Sequence, residues 1–372
     1  MSTSVCYILS NINKALAFEW IAARLNHQRF ELHFILLNPG ESVIEEVLQE
    51  KNILFSRITY HGKKDIPKAI RQIYTYLIRN RIQIVHCHLF DANIAGLLAA
   101  KLAGVKKRIY TRHHSTLHHQ YFPRAIWYDH FINWLATDIV AISKNVRQIL
   151  IEKEFVQENK ITLIHHGFDL TGFVNPDSEK VKSFSEKYHT SGKAPVIGVI
   201  ARYTDWKGIQ YIIPAFGRLR QTYPQAHLVL ANASGNYKTE IHRLLDELPA
   251  ESYTEIPFEN DLFSLYELFD VFVHVPVSSE IEAFGQTYVE ALAAGVPSVF
   301  TLSGVAVEFI EHEKNALVVP FEDSDSIYKA CMRILNHETL KQTLVIKGKK
   351  SVQEKFALAR MIEKLEKLYL CD

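Results

Sequence analysis

Two successive series of alternating strands and helices constrain the fold of this 372-residue chain more than any other feature. Each predicted strand is a short apolar stretch, and a stretch with helical periodicity follows it. Parallel strands need long crossover connections, which are usually helices, so this alternation predicts parallel sheets covered on both faces. The fold class is therefore α/β, with two doubly wound halves.

The two series are separated by a polar stretch, TGFVNPDSEK, at 171–180. The first series predicts strands at 4–10, 31–37, 52–58, 83–89, 108–113, 138–143 and 161–166 and helices at 13–26, 42–50, 65–80, 91–103, 121–135 and 144–153. The second predicts strands at 194–201, 226–231, 251–256, 270–275, 297–300 and 315–320 and helices that include 208–221, 237–247 and 324–336. We assign a first domain to 1–175 and a second to 190–356, and we expect the ligand site in the cleft between them, at the carboxyl ends of the strands.

Charge is divided unevenly along the chain, although the net charge is only +1. Residues 1–175 hold 21 Lys and Arg against 14 Asp and Glu, whereas residues 176–372 hold 21 against 27. The four cysteines have no CxxC spacing, which fits a reduced protein. No apolar run approaches the roughly 20 residues of a membrane span, and the N-terminus lacks the pattern of a secretory signal. We therefore expect a cytoplasmic protein.

The stretch SSEIEAFGQTYVEALAAGVPSVF, at 278–300, carries the clearest chemistry. Gly295 followed by Pro297 predicts a helix end, so a helix should run from about 285 to 294. A helix N-terminus offers free backbone N–H groups and a partial positive charge, which suit a diphosphate. Gly285 would let the backbone approach that ligand closely.

Two glutamates flank this helix start and should have different roles. Glu290 lies in the second turn, where it can accept hydrogen bonds from paired hydroxyls such as those of a ribose. Glu282 lies in the preceding loop, where it can reach hydroxyls of the group that the diphosphate carries. The arrangement predicts a site for a nucleoside diphosphate with a hydroxylated substituent.

The order Glu282-Ala-Phe-Gly, then Glu290-Ala, then Gly-Val-Pro resembles the signature of retaining glycosyltransferases of family 4, which have the GT-B fold. That fold has two Rossmann-like domains facing a central cleft. In the family the first glutamate lies at the donor sugar and the second binds the ribose. The resemblance implies that the following residues bind donor or nucleotide: Arg202, Lys207, Phe258, Ala283, Phe284, Gly285, Gln286, Thr287 and Glu290.

A second stretch, VIARYTDWKG at 199–208, resembles the family's strand-Arg-x4-Lys-Gly element. Arg202 and Lys207 occupy the two cationic positions, which in the family clamp the donor diphosphate. Two preplaced cations and a helix N-terminus can stabilise the leaving group without a metal. The resemblance thus implies catalytic roles for Glu282, His113, Arg202 and Lys207.

Other matches are collinear but contain departures. The family's second glycine near 304 is either replaced by Val305 or lost, its Asn-Gly pair becomes Asn315-Ala316, and its Pro-Asn pair becomes His165-His166. The resemblance implies that a C-terminal helix, 357–372, packs back on the first domain.

The first domain resembles the family less closely. Its first loop, SNINKALAFEW at 10–20, has no glycine, and we assign Asn13 and Lys14 to the acceptor side. His113 aligns with a histidine that many members place near the reacting sugar, and His114 is the neighbouring alternative. Both are also assigned to the acceptor side.

Several histidines have spacings that a metal could use, namely His86 and His88 with Asp91, and the run at 113–119. However, His86 and His88 close a predicted strand, where alternation places both on one face in any case. Because similar transferases use protein cations, we expect no metal and no other cofactor.

The segment 105–136 is basic and rich in aromatic residues. We expect most of its predicted helix face to pack in the core. The positions that form this face are Ile126, Trp127, His130, Phe131, Trp134 and Leu135. The alternative is that this face and nearby Lys and Arg residues, including those of helix 65–80, contact an anionic membrane. No nucleic-acid-binding module is present, so nucleic acid is not an expected partner.

The residues and the resemblance together predict a retaining, metal-independent hexosyl- or N-acetylhexosaminyltransferase. Its donor would be a nucleotide sugar, with UDP as the expected nucleotide. Its acceptor would be a glycan or a lipid-linked glycan in surface polysaccharide or lipopolysaccharide synthesis at the inner face of the cell membrane. Two alternatives stay open: a non-catalytic subunit that binds a nucleotide sugar, and an NAD-dependent oxidoreductase. The latter lacks its expected glycine fingerprint in the stretches that follow the first strand of each half.

Overall fold

The computed structural model describes residues 2–173 and 177–371, and the chain divides into two compact units. The first unit contains the described residues up to Phe168 and those from Leu358 onward, and the second runs from Asp169 to Ala357. The predicted end of the first domain, residue 175, lies outside the described residues.

The first unit is built on a parallel sheet, as the strand-helix alternation predicted. Its described strands have the spatial order β3-β2-β1-β4-β5-β6-β7. They are β1 (Thr3–Ser10), β2 (Phe30–Asn38), β3 (Leu54–Thr59), β4 (Ile84–His88), β5 (Lys107–Arg112), β6 (Asp138–Ala141) and β7 (Ile161–Leu163). The central strands are buried on both faces because helices cover both sides of the sheet.

Helices connect these strands at nearly all the predicted positions. They are α1 (Leu16–Arg24), α2 (Val43–Glu50), α3 (Ile66–Arg79), α4 (Phe90–Leu102), α5 (Leu117–Tyr121), α6 (Ile126–Leu135) and α7 (Lys144–Glu152). The helix predicted at 121–135 is interrupted, because Pro123 starts a 3₁₀ turn between α5 and α6.

The aromatic face of α6 is not in the core, so the packing prediction for this face is wrong. The side chains of Trp127 and Trp134 are 79% and 61% exposed, and Phe131 is also exposed. Of the predicted positions only Leu135 is buried, and the other buried residues of the helix are Asp129, Ile132 and Asn133. The periodicity correctly identified one aromatic face, but a buried polar network, described below, decides which face turns inward.

The second unit has its own parallel sheet, with the described strands in the order β10-β9-β8-β11-β12-β13. These strands are β8 (Val196–Ile200), β9 (His227–Ala231), β10 (Tyr253–Ile256), β11 (Val271–His274), β12 (Ser298–Phe300) and β13 (Leu317–Val318). The helices of this unit are α8 (Ser178–Lys187), α9 (Ile209–Thr222), α10 (Lys238–Leu245), α11 (Leu262–Tyr266), α12 (Gln286–Ala294), α13 (Ser324–Asn336) and α14 (Glu338–Phe356).

Helix α8 lies where the sequence analysis placed a polar connection. Asp177 caps it by accepting hydrogen bonds from the backbone N–H groups of Glu179 and Lys180. None of its residues is buried, so the segment carries no strong apolar stripe that could have revealed a helix.

The last helix, α15 (Leu358–Leu370), packs on the first sheet. Its buried residues join the core cluster that contains β1 and β2, and the hydroxyl of Tyr369 lies 2.7 Å from Nδ1 of His86. No helix in the described part of the chain combines the length and hydropathy needed to cross a membrane.

Each strand order reverses at one point, between β1 and β4 in the first sheet and between β8 and β11 in the second. At such a point the connections leave in opposite directions, which opens a crevice at the carboxyl ends of the strands. The predicted site residues follow these strands directly.

Candidate functional site

Arg202 and Lys207 both follow β8, at the reversal point of the second sheet. Arg202 is exposed, and it forms no ion pair with any residue that the structure describes. Lys207 closes a 3₁₀ turn, and Gly208 after it has φ +75°. A Cβ atom on Gly208 would lie 1.9 Å from the carbonyl oxygen of Val275, so only glycine lets this turn pack against the end of β11.

Glu282 is buried and forms an ion pair with Lys207. Its backbone N–H donates to Oγ of Ser303 over 3.2 Å, and Nε2 of His274 lies 3.3 Å from its Oε1. Burial alone would raise the pKa of Glu282, but Lys207 and His274 outweigh burial and lower it to about 2. Glu282 is therefore ionised at neutral pH.

The sequence analysis did not identify His274 as a site residue. Its side chain is 1% exposed, and burial lowers its pKa, so a neutral imidazole faces Glu282. The available signal was its position as the last residue of a strand that leads into the loop carrying Glu282. A polar residue closing a buried parallel strand lies at the functional edge of the sheet.

The helix predicted at 285–294 is α12. Gly285, its N-cap, has φ +86°, and a Cβ atom there would lie 2.5 Å from the ring of Tyr288. In the first turn, Oγ1 of Thr287 is buried without a hydrogen-bond partner in the described part of the chain. The start of α12 therefore combines backbone N–H groups with a hydroxyl that is free for a ligand.

Other residues assigned to the nucleotide site differ in exposure. Phe284 is buried and packs edge-on against Phe356, so its ring stabilises the loop rather than facing solvent. Ala283 is half-buried and Gln286 is exposed. Phe258 is 70% exposed in the loop after β10, which also leaves the carboxyl edge of the sheet.

Glu290 lies one turn further along α12. The hydroxyl of Tyr266 donates to its Oε2 over 3.1 Å. Burial raises the pKa of Glu290 to about 7, and the hydrogen bond from Tyr266 only partly offsets this. Glu282 and Glu290 are thus in opposite electrostatic environments although only seven residues separate them. Tyr266 also was not identified from the sequence.

In the first unit, His113 follows β5 and contacts two other histidines. Its Nε2 lies 3.0 Å from Nδ1 of His88, and its ring stacks on His166 with a centroid distance of 5.6 Å. These three side chains and apolar neighbours line a cavity of about 40 Å³. Burial lowers the pKa of all three, so the cluster is neutral at pH 7.

His114 points to a different environment from that of its neighbour. Its Nε2 lies 3.3 Å from Oδ1 of Asp129, and Nδ1 of His118 lies 2.7 Å from Oδ2. The potential ligand atoms of these three residues lie within 4.8 Å of one another, which a metal could use. However, Arg112 already forms an ion pair with Asp129, with 2.9 Å between Nη1 and Oδ1.

The other predicted histidine pair is also engaged. His86 makes hydrogen bonds through both ring nitrogens, to Tyr369 and to Thr111, and His88 contacts His113.

The first loop contains no glycine, and two asparagines have specific structural roles in it. Asn11 adopts φ +54°, a left-handed conformation that asparagine tolerates better than most residues. The side chain of Asn13 accepts a hydrogen bond from the N–H of Val43 over 3.2 Å and thereby holds the start of α2. Lys14 is exposed.

Comparisons with known proteins agree with this architecture. A family model described as glycosyl transferases group 1 matches residues 180–351, and a model described as glycosyltransferase family 4 matches residues 20–171. The capsular polysaccharide biosynthesis glycosyltransferase CapM of Staphylococcus aureus is 27% identical over 315 residues, which cover 81% of this chain and 80% of that protein.

Two further similarities cover most of the chain. One is to a galactosyltransferase of Escherichia coli named UDP-Gal:alpha-D-GlcNAc-diphosphoundecaprenol alpha-1,3-galactosyltransferase. The two sequences are 23% identical, and the aligned region covers 82% of this chain and 79% of that enzyme. The other is to the crystal structure of HepE from Anabaena in complex with UDP and glucose. It superposes with a TM-score of 0.82 at 17% identity, and the alignment covers 98% of this chain and 99% of the HepE chain. Together, the two family models, the two parallel-sheet units and the similarity to solved GT-B structures show that the chain belongs to glycosyltransferase family 4 and has the GT-B fold.

Proposed function

We propose that this protein transfers a hexosyl or N-acetylhexosaminyl group from a UDP-sugar to a glycan or lipid-linked acceptor, with retention of configuration and without a metal. The observation that carries the proposal is the cluster of Lys207, Glu282 and His274 beside the start of α12, at the reversal point of the second sheet.

The donor side of the proposal rests on charge. Cleavage of the bond between sugar and diphosphate leaves a nucleoside diphosphate with growing negative charge. Arg202 is exposed, Lys207 is partly buried, and the N–H groups at the start of α12 are oriented by the helix, so three positive groups are available to this leaving group. Such groups need no metal to stabilise it.

The sugar side rests on the state of Glu282. Lys207 and His274 hold this carboxylate ionised and fixed, which suits hydrogen bonds to sugar hydroxyls. In a front-face mechanism the departing diphosphate removes the proton from the acceptor hydroxyl, and the protein contributes position and charge. If a carboxylate attacked instead, Glu282 would be the first residue to test.

The nucleotide and the acceptor class are proposed by analogy. The HepE structure contains UDP, CapM is named for capsular polysaccharide synthesis, and the Escherichia coli relative is named for a diphosphoundecaprenol acceptor. We therefore propose a role in surface polysaccharide or lipopolysaccharide synthesis in the cytoplasm, with the protein peripheral at the inner face of the membrane. His113, His114, Asn13 and Lys14 are the proposed acceptor-side residues.

The test is a thermal-shift panel with UDP, GDP, ADP, CMP and NAD. At about 100 times its dissociation constant, a ligand should add roughly 2.7 kcal/mol to the free energy of unfolding. We expect UDP to raise the melting temperature of the wild type and of the control Glu247→Ala, whose glutamate is exposed on the same unit, but not that of Glu290→Ala. Stabilisation by NAD alone would refute the transferase proposal.

A non-catalytic subunit would also bind UDP, so a second readout is needed. The wild type should hydrolyse the correct UDP-sugar slowly in the absence of acceptor, and Arg202→Gln should abolish that hydrolysis. Binding without hydrolysis or transfer, for every UDP-sugar tested, would favour the non-catalytic alternative.

A further inference from the structure

Helix α6 buries two polar side chains and exposes three large aromatic ones, which is unusual for a surface helix. Asp129 and Asn133 are buried, whereas Trp127, Phe131 and Trp134 are exposed. Tyr128 of the same helix is also exposed, as are Tyr121 and Phe122 in the preceding segment. An exposed aromatic cluster of this size is typical of an interaction site, whereas single exposed apolar residues are common on any surface.

A buried network determines this orientation of the helix. Arg112 forms ion pairs with both Asp129 and Glu154, and Asn133 donates to Oε2 of Glu154 over 2.7 Å. Tyr110 in turn donates a hydrogen bond to Asn133. Rotating the helix to bury its tryptophans would expose or break these contacts, and an unpaired buried charge is costly. The aromatic residues therefore remain outside.

Two lysines lie close to aromatic rings of α6. Nζ of Lys101 lies 3.2 Å from the ring centroid of Trp134, and Nζ of Lys63 lies 5.5 Å from that of Tyr128. Because α4 packs against both α3 and α6, the three helices lie side by side on one face of the sheet.

Exposed cations outnumber exposed carboxylates on these helices. The exposed cations in α3, in the turn before it, at or just after the end of α4 and in the turn before α6 are Lys63, Lys64, Lys68, Arg71, Arg79, Lys101, Lys106 and Arg124. Helix α3 contains no carboxylate, the single carboxylate of α6, Asp129, is buried, and Asp65 and Asp91 at the starts of α3 and α4 are half-buried. The surface formed by α6 and these cations, which we call the aromatic-basic surface, is therefore predominantly positive.

We propose that the aromatic-basic surface docks on an anionic lipid bilayer. Tryptophan and tyrosine are favoured at the boundary between headgroups and acyl chains, and a ring of Lys and Arg is attracted to anionic headgroups. The proposal deepens the proposed function, because a lipid-linked acceptor is anchored in the same surface. A protein partner would need no such excess of positive charge, and nucleic acid is less suited because the aromatic side chains stand on a convex helix rather than in a groove.

The test is flotation of the full chain with vesicles of phosphatidylcholine alone or with 30% phosphatidylglycerol. We expect binding to the anionic vesicles that weakens as salt is raised, and little binding to the neutral ones. The paired variant Trp127→Ser/Trp134→Ser should bind the anionic vesicles at least tenfold more weakly, as should Lys63→Glu/Lys101→Glu. The control Phe155→Ser removes an aromatic residue of the same unit that is 82% exposed but distant in sequence, and it should bind like the wild type.

Three outcomes would overturn the docking proposal. The first is that the wild type does not bind the anionic vesicles, and the second is that the Phe155→Ser control loses vesicle binding as much as the tryptophan variant does. The third is tryptophan-dependent binding to a single-stranded RNA without binding to vesicles. The UDP thermal shift is measured on the same variants. If that shift is intact while vesicle binding is absent in the wild type, the docking proposal fails and the transferase proposal stands. If UDP never stabilises the protein but the protein binds the anionic vesicles, the transferase proposal fails and the docking proposal stands.

Discussion

Lys207 and Glu282 form a buried ion pair although 75 positions separate them in the chain. Lys207 follows β8 and Glu282 follows β11, and these strands are neighbours where the order of the second sheet reverses. The fold thus places the cation proposed to bind the diphosphate and the carboxylate proposed to bind the sugar in direct contact. Each then sets the charge environment of the other.

Glu282→Gln should destabilise the protein at neutral pH. The change keeps the side-chain volume but leaves the mostly buried Lys207 without its counter-charge, which costs about 3 kcal/mol. Because the folded-state pKa of Glu282 is about 2, below its ordinary value of 4.5, its stabilising contribution is present above pH 4.5 and is lost as the pH falls toward 2. Urea unfolding midpoints of both proteins should therefore converge below pH 4.5. A gap that widens with acidity would contradict this assignment.

Arg202→Gln should have the opposite profile, with little effect on stability and a large effect on transfer. Arg202 is exposed, so its removal should change the free energy of unfolding by less than about 0.5 kcal/mol. Loss of a charge that stabilises the leaving group should lower kcat by about 100-fold or more. Steady-state kinetics and thermal unfolding of the same sample check both. The matched control is Arg360→Gln, whose arginine is exposed on α15.

Glu290→Gln should make the unliganded protein more stable at alkaline pH. Burial raises the pKa of Glu290 from 4.5 to about 7, so its favourable contribution is complete below pH 4.5 and is lost as the pH rises through 7. The variant should match the wild type at pH 5 and exceed it by roughly 2–3 kcal/mol at pH 8. Thermal unfolding at the two pH values measures this. Equal stability at pH 8 would show that Glu290 ionises freely.

His113→Asn and His114→Asn should separate the two adjacent histidines. His113 lines the cavity with His88 and His166, so its replacement should lower the transfer rate about 10- to 100-fold even at temperatures where the variant remains fully folded. His114 contacts Asp129 in the buried network, so its replacement should mainly lower the melting temperature. Rates and melting temperatures of the two variants, measured together, provide the check. The reverse pattern would indicate that His114, and not His113, acts in the transfer reaction.

Much of the fold could be predicted from the sequence because apolar runs and helical periodicity are local. Every predicted strand has a counterpart, and the helix predicted at 285–294 is α12 to within one residue. The short capped helix α8 was missed because it buries nothing, and the break before α6 was missed because Pro123 was not weighed against the helical pattern.

The site was predicted unevenly for a related reason. Glu282, Glu290, Arg202 and Lys207 lie in recognisable local motifs. His274 and Tyr266 do not, because their roles arise only from contact with Glu282 and Glu290 across the folded unit.

The sequence by itself therefore determined the α/β class, the two parallel sheets and the residue types of the donor motifs, since each is encoded in short stretches. Only the tertiary structure decided the charge states of the two glutamates, because these depend on burial and on distant partners such as Lys207. It also decided which face of α6 meets solvent. The pattern of aromatic residues favoured burial, but Arg112 and Glu154, which lie outside the helix, hold its polar side inward.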